Sequence, residues 1–273
     1  MAVSMAEIKH LRTMTGAGMM DCKNALEEAG GDFDKAVEII RKKGQAVAAK
    51  RSDRDASEGC VAAKVSGKKA SMIALKCETD FVAKNEDFIA LTNQILDLAI
   101  ENNANSLEEV EALKMGDLTV AAAVTERSGV TGEKMELDGY NVVEGESTAI
   151  YIHMGNKLGA IVAFNQEVSE QIGHEIAMQI AAMNPIAVSP EGIPADILAR
   201  EKEVAADKAR QEGKPENLIE RISAGRINKF YSEVCLLLQS YVKEPSMTIG
   251  QFLDQQSKGL TVTEFKRFTL DQE

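Results

Sequence analysis

The sequence predicts an α+β fold: an N-terminal three-helix bundle, then two repeated α+β subdomains with small antiparallel sheets and an inserted helical hairpin. Three observations predict it: glycine-punctuated helical periodicity near the N-terminus, a repeated strand–glycine–strand pattern, and two charged helical segments separated by Gly213-Lys214-Pro215. The length of 273 residues suits about two domains of roughly 100–200 residues. We place the units at residues 1–52 (bundle), 53–59 (linker), 60–140 (first subdomain) and 141–273 (second subdomain, with the hairpin at about 190–231).

Each helix of the predicted bundle is bounded by glycine or by a capping residue. The first helix is followed by Thr15-Gly16-Ala17-Gly18, the second stops at Gly30-Gly31, and Asp32 can cap the third. The apolar stripes consist of Ile8, Leu11 and Met14, then Met19, Cys22, Ala25, Leu26 and Ala29, then Phe33, Ala36, Val37 and Ile40. We therefore expect a small independent bundle. The charged stretch that follows has no apolar periodicity and is typical of a linker.

An internal repeat defines the two subdomains. Residues 60–77 and 148–165 each show a strand, a glycine turn and a second strand, and Gly67 matches Gly155 in the two copies. An apolar helical stripe follows each copy, beginning at Phe88 in the first and at Ile172 in the second. We therefore expect two related lobes, each with helices packed on one face of its sheet.

Further elements lie between and after the two copies. Ser106-Leu107-Glu108-Glu109 matches a capping box, and a helix is expected around Thr119–Arg127. Residues 133–144 are typical of a strand, as are residues 262–270 at the end of the chain. Residues 194–212 and 216–231 have narrow apolar stripes and many charges, which favours two helices that pack mainly on each other.

Composition excludes several functional classes. The net charge of −12 argues against direct nucleic-acid binding, because phosphate neutralisation needs clustered Lys and Arg. No apolar run approaches the roughly 18 residues that a membrane span needs, and no secretory signal stands at the start. The four cysteines form no C-x-x-C pair, which suits a reduced cytoplasmic protein and provides no metal-site spacing.

Catalytic signatures are also absent. The sequence has no G-x-x-x-x-G-K-[ST], G-x-G-x-x-G, G-x-S-x-G or H-E-x-x-H. The three histidines lie in different elements, so the remaining enzymatic alternative is a Cys77–His153 pair across the two lobes. A cysteine in an apolar strand is usually inert core. The residues alone therefore favour a non-catalytic protein that binds other proteins, without bound cofactor or metal.

Two segments carry a family resemblance. Residues 11–29, LRTMTGAGMMDCKNALEEA, resemble the N-terminal signature of the elongation factor Ts family, and residues 77–84, CETDFVAK, resemble its second signature. Residues 152–159, IHMGNKLG, fit less tightly. Together these matches cover the chain in order.

The resemblance implies a fold and a function. The N-terminal bundle would be of the ubiquitin-associated (UBA-like) type, followed by the two α+β subdomains with their hairpin. The protein would be a guanine-nucleotide exchange factor in protein synthesis. It would bind elongation factor Tu in its GDP-bound and nucleotide-free forms, displace Mg²⁺ and promote GDP release, with no bond chemistry of its own. Some family members have a further helix after the last strand, whose contacts are not expected here.

The resemblance also assigns residues. Thr79, Asp80, Phe81 and Val82, called the wedge segment below, would dislocate Mg²⁺ from elongation factor Tu, with the Phe81 ring inserted between partner helices. The alternative is local: Asp80 caps a helix and Phe81 staples it.

Further partner contacts are implied at Arg12, Met19, Met20 and Lys23 in the bundle, and at His153 in the second lobe. The alternatives are that one of the two methionines is bundle core and that His153 is an ordinary exposed turn residue. Two broader alternatives stay open. The protein could be an adaptor that binds through residues 1–50 alone, and its complex with the partner could assemble as a dimer.

Overall fold

The computed structural model describes residues 3–270 and begins with the expected three helices. These are α1 (Met5–Thr15), α2 (Met19–Glu28) and α3 (Phe33–Lys50). Asp32 caps α3 by accepting the Lys35 backbone N–H at 3.2 Å, as predicted. Gly16 ends α1 at a φ of +69°, a conformation that a side chain would strain.

The first α+β lobe contains a three-stranded antiparallel sheet with the strand order β1-β2-β5. Helices cover one of its faces, and Phe88, Ile95 and Leu75 are fully buried in the core between them. The elements of this lobe are β1 (Glu58–Ser66), β2 (Lys69–Cys77), α4 (Asp80–Ala83), α5 (Glu86–Glu101), α6 (Leu107–Ala112), β3 (Lys114–Met115), β4 (Leu118–Thr119), α7 (Val120–Thr131) and β5 (Met135–Glu144).

The second lobe repeats the pattern, with the strand order β10-β7-β6 and α8 on one face. Short 3-10 helices at Pro190–Gly192 and Leu236–Leu238 flank its helical hairpin, which is formed by α9 and α10 as predicted. Its elements are β6 (Ser147–Ile152), β7 (Leu158–Phe164), α8 (Glu170–Met183), α9 (Ala195–Gln211), α10 (Glu216–Val234), β8 (Ser240–Tyr241), β9 (Glu244–Thr248), α11 (Ile249–Gln256) and β10 (Val262–Thr269).

The α+β class and the repeated strand–turn–strand units are confirmed. The two lobes, however, share a packing interface that the sequence did not predict. The face of each sheet that carries no helices packs on the other sheet, so both faces are buried. Gly159 on β7 permits this approach, because a Cβ there would lie 2.9 Å from Met72 Sδ and from Val61 Cγ1. The shared core consists of Val61, Ala70, Met72, Ala74, Val143, Ile161, Ala163 and Leu270.

The N-terminal bundle is not independent, contrary to expectation. Helix α3 crosses α7 with Gly44 against Gly129, and a Cβ on Gly129 would lie 2.1 Å from the Gly44 Cα. Arg41 Nε lies 3.5 Å from Glu126 Oε1 beside this crossing. The sequence reading missed the contact because a glycine inside a helix gives no signal that another backbone approaches it.

Several predicted boundaries also need correction. The linker does not include Glu58 and Gly59, because β1 begins at Glu58, which pairs with Cys77. The division at 140/141 falls inside β5, which stays paired with β2 as far as Glu144. Helix α7 ends at Thr131 rather than at Arg127.

The predicted capping box at the start of α6 is only half formed. Ser106 Oγ accepts the Glu109 N–H at 3.2 Å, as expected. The Glu109 carboxylate, however, accepts the N–H of Asn105 at 2.7 Å instead of that of Ser106. The backbone N–H bonded by the Glu109 carboxylate therefore belongs to the residue before the N-cap, whereas in a standard capping box it belongs to the N-cap residue itself.

A buried polar cluster ties α8 to the β8–β9 hairpin. The Glu175 carboxylate accepts hydrogen bonds from Lys243 Nζ at 2.6 Å, from the Tyr241 hydroxyl and from Gln171 Nε2 at 3.0 Å. The hydrogen bonds from Lys243 and Tyr241 lower the pKa of Glu175 to about 2, against a smaller opposing effect of burial.

Within residues 3–270, no helix has both the length and the apolar character needed to span a bilayer.

Replacing Gly129 by Ala is expected to destabilise the fold by about 2 kcal/mol, because the added methyl group collides with the α3 backbone. Urea unfolding measures the change. The matched control is Gly225→Ala in α10, where a Cβ meets nothing within 4 Å, and it should stabilise by up to about 1 kcal/mol. Equal effects of the two substitutions would contradict the close crossing.

Glu175→Gln is expected to cost about 3 kcal/mol at pH 7, because the charged carboxylate and its ion pair with Lys243 are lost. A carboxyl whose pKa is depressed in the folded state stabilises above its unfolded pKa, and this contribution disappears as the pH falls through the folded pKa. The gap between wild type and variant should therefore shrink from about pH 5 towards pH 2 in thermal unfolding. The matched control is Glu203→Gln on the exposed side of α9, which should change the free energy of unfolding at pH 7 by less than about 0.5 kcal/mol.

Candidate functional site

The wedge segment lies where β2 leaves the first sheet. Thr79 is the N-cap of α4, and its Oγ1 accepts the Val82 N–H at 3.4 Å. Helix α4 has only four residues, fewer than an isolated helix needs to form. Its position therefore depends on what holds its two ends.

Two carboxylates hold the N-terminal end of α4, because they accept backbone hydrogen bonds just beyond the last residue pair of the β2–β5 ladder. The last pair of the ladder is Cys77–Met135. Beyond it, Glu78 accepts the Lys134 backbone N–H at 2.6 Å, and Glu133 accepts the Thr79 backbone N–H at 3.0 Å. Side chains thus replace the backbone partners that these two amides would otherwise lack.

Glu78 and Glu133 make further bonds at this junction. Glu133 Oε1 accepts the Thr79 hydroxyl at 2.6 Å. Each carboxylate oxygen of Glu78 also accepts a hydrogen bond from Arg51 Nη1, at 3.0 and 2.9 Å. Burial disfavours charge on Glu78, but the Lys134 amide and Arg51 outweigh it and lower the pKa of the carboxyl.

The side chains of α4 divide into buried and exposed ones. Ala83 is buried and Val82 packs partly on the first-lobe core, whereas the Phe81 side chain is 85% exposed. Asp80 accepts a bond from Lys84 Nζ at 2.6 Å, and this bond lowers the pKa of Asp80. The local alternative is therefore wrong, since Thr79 rather than Asp80 is the cap and the Phe81 ring staples nothing.

The β6–β7 turn lies near the wedge segment. Lys157 Nζ forms an ion pair with Glu58 at 2.8 Å, next to the end of β2, and its charge contributes to lowering the pKa of Asp80. His153 is exposed in this turn, with Nδ1 2.9 Å from the Tyr151 hydroxyl. The neighbouring Met154 is 90% exposed, so it adds an apolar side chain that the sequence reading did not single out.

The four bundle residues lie on other elements than the wedge segment: Arg12 on α1, and Met19, Met20 and Lys23 on α2. Met19 packs partly against the bundle core, whereas Met20 is 63% exposed. Arg12 is exposed at the end of α1, and Lys23 pairs with Glu27 at 3.7 Å. The adjoining α1–α2 loop lines a cleft of about 460 Å³ that also reaches Asp87 at the start of α5.

Cys77 and His153 do not form a nucleophilic pair. The Cys77 thiol donates to the Thr79 carbonyl at 3.3 Å, and His153 is bonded to Tyr151 instead. Burial, together with the carboxylates of Glu133 and Glu58, raises the pKa of Cys77 to about 12. A thiol in that state is a poor nucleophile at neutral pH. Between residues 3 and 270, no cluster of His, Cys, Asp and Glu is arranged to hold a metal ion.

Sequence reasoning missed the residues that hold the wedge segment. Glu78 lies inside the quoted signature, but its bonds to Arg51 and Lys134 join residues 27 and 56 positions apart. Glu133 lies 54 positions from Thr79 and follows a helix without any distinctive motif. Only the pairing of β2 with β5 brings these groups together.

The chain is similar in sequence to known proteins over its whole length. The family model described as "Elongation factor TS" matches residues 78–272, which begins at Glu78 and includes the wedge segment. Elongation factor Ts of Porphyromonas gingivalis (strain ATCC 33277) is 55% identical over 272 residues, covering 99% of both chains. The proteins of the same name from Azobacteroides pseudotrichonymphae and Phocaeicola vulgatus are 51% and 50% identical, covering 100% and 99% of both chains.

The chain belongs to the elongation factor Ts family. The family model alone covers well over half of the chain, and the full-length similarity extends to the N-terminal bundle. Membership of the elongation factor Ts family assigns the chain to translation elongation.

The native protein should resist alkylation at all four cysteines, which are buried and whose pKa values burial raises. At pH 8 we expect iodoacetamide to modify Cys77 roughly a thousandfold more slowly than a free cysteine peptide, because almost no thiolate is present. Peptide mass spectrometry follows each site, and denatured protein is the control in which all four react. Rapid labelling of native Cys77 would contradict the buried environment.

Proposed function

We propose that this chain is a guanine-nucleotide exchange factor for elongation factor Tu. The observation that carries the proposal is the Phe81 ring, which is 85% exposed on a turn held by partly buried hydrogen bonds. A large apolar side chain fixed in solvent has no role in its own core, and such residues commonly anchor protein interfaces. Membership of the elongation factor Ts family supports elongation factor Tu as the partner.

Exchange of this kind requires differential binding rather than bond chemistry. The chain must bind nucleotide-free elongation factor Tu more tightly than the GDP-bound form. GDP then weakens binding of the chain by the same factor by which the chain weakens binding of GDP. A thousandfold weakening of GDP binding needs roughly 4 kcal/mol of such difference. No nucleophile, general base, metal or cofactor on this chain is needed, so the proposed activity is not enzymatic in the bond-making sense.

The four residues of the wedge segment have different proposed roles. Phe81 contacts the partner, inserting between helices of its nucleotide domain and displacing the elements that hold Mg²⁺. The ring adds large buried area with few rotatable bonds to fix. Asp80 lies beside it and can exchange its bond with Lys84 for one to the partner. Thr79 and Val82 hold the turn from inside.

The remaining candidates extend the proposed interface on either side. In the second lobe, His153 with its neighbour Met154 forms an exposed tip near the wedge segment. In the bundle, side chains that are exposed or half-exposed face the same partner, namely those of Met20, Arg12 and Lys23, while Met19 packs partly against the bundle core. We propose that the complex forms in the cytoplasm, where translation takes place.

Phe81→Ala is expected to slow release of fluorescently labelled GDP from elongation factor Tu by at least about tenfold, because an interface anchor is lost. Its free energy of unfolding should change by less than about 0.5 kcal/mol, since the ring is exposed. Stopped-flow fluorescence with substoichiometric chain measures the rate of GDP release. Urea unfolding measures the free energy of unfolding.

The matched control is Val65→Ala, which also truncates an exposed apolar side chain. Val65 lies about 23 Å along β1 from Glu58, at the end of the strand away from the wedge segment. It should exchange GDP like wild type. If Phe81→Ala also behaves like wild type, the wedge assignment is wrong, and binding by residues 1–50 alone would favour the adaptor alternative.

A further inference from the structure

In the proposed function the Phe81 ring contacts the partner. Because the ring is exposed, its position must be fixed by other residues. The four residues of α4 cannot maintain a helix by themselves, because helix nucleation is unfavourable. The orientation of the ring therefore depends on the N-terminal end of α4 at Thr79, and on the buried Ala83 at the other end.

One carboxylate binds both donors of Thr79. Glu133 Oε1 accepts the hydroxyl at 2.6 Å, and Glu133 Oε2 accepts the backbone N–H at 3.0 Å. The same hydroxyl oxygen accepts the N–H of Val82, so the chain of bonds runs from Glu133 through Thr79 into the helix. Hydrogen bonds to a charged group are shorter and stronger than those between neutral groups.

Glu133 is itself firmly placed. Its backbone carbonyl accepts the Ser128 hydroxyl at 2.5 Å, and its N–H donates to Thr131 Oγ1 at 3.3 Å. Both partners belong to the last turn of α7, the helix on which α3 of the N-terminal bundle packs. The carboxylate thus joins the wedge segment to the same helix that positions the bundle.

We propose that Glu133 is a positioning residue for nucleotide exchange, acting through Thr79 to hold α4 so that the Phe81 ring faces the partner. This inference rests on the proposed exchange function. Glu133 does not touch elongation factor Tu, so its loss leaves the rest of the interface in place. Loss of the Glu133 carboxylate instead lowers the fraction of bound complexes in which the Phe81 ring is inserted.

The test measures GDP release from elongation factor Tu over a range of concentrations of the full chain. Glu133→Gln keeps the size of the side chain but can no longer accept from both Thr79 donors. We expect its maximal release rate to fall roughly fivefold to tenfold, while the half-saturating concentration changes less than about twofold. A general loss of folded protein would instead lower the active concentration without changing the rate at saturation.

Two further readouts separate positioning from loss of charge or of stability. Asp138→Asn removes a carboxylate of β5 that forms an ion pair with Lys76, and it should behave like wild type. Thr79→Val removes the hydroxyl donor, and combining it with Glu133→Gln should lower the maximal rate by less than the product of the single effects. Amide exchange of Thr79 should be faster in Glu133→Gln, while core amides of β2 stay protected.

The outcomes distinguish the inference from the function it depends on. If wild type accelerates GDP release and Phe81→Ala does not, but Glu133→Gln equals Asp138→Asn, the positioning role is wrong and the exchange function stands. Strictly multiplicative effects of Thr79→Val and Glu133→Gln would also overturn the positioning role. A wild-type chain that does not accelerate GDP release would overturn the function and the inference together.

Discussion

The end of the β2–β5 ladder is the constraint on which the proposed site depends. Beyond Cys77–Met135 the strands separate, and the next amides, of Thr79 and Lys134, bond to Glu133 and Glu78 from the opposite segment. Because these bonds fix the first end of a four-residue helix, an apolar ring can stand in solvent without collapsing onto the core. Partly buried hydrogen bonds thus hold one exposed side chain in a fixed position.

Packing between the sheets and helices also fixes the β6–β7 turn and the N-terminal bundle relative to the first lobe, which carries the wedge segment. The two sheets pack face to face, and the β6–β7 turn is attached to β1 by the bond from the Val61 N–H to the Asn156 carbonyl at 2.7 Å. Helix α3 is fixed on α7 at Gly44 and Gly129. A partner that contacts the bundle, the wedge segment and the second lobe therefore meets a preorganised surface, which reduces the entropy lost on binding.

Much of the fold could be predicted from the sequence because its signals are local. Glycine turns, capping residues such as Asp32 and the repeated strand pattern each act within a few residues. The resemblance to a family signature pointed to the wedge segment, and the roles of Thr79, Asp80, Phe81 and Val82 are proposals built on that resemblance. The exposure of Phe81, the Glu133 bonds and the Gly44–Gly129 crossing could not be predicted, since they join residues far apart in the chain.

The central claim is that this chain discriminates between nucleotide-free and GDP-bound elongation factor Tu. Isothermal titration calorimetry of the full chain against both forms tests it most directly. We predict tighter binding to the nucleotide-free form, by the same factor by which the chain weakens GDP binding in a parallel titration. Equal affinity for the two forms would contradict the account, because a ligand without preference shifts no equilibrium.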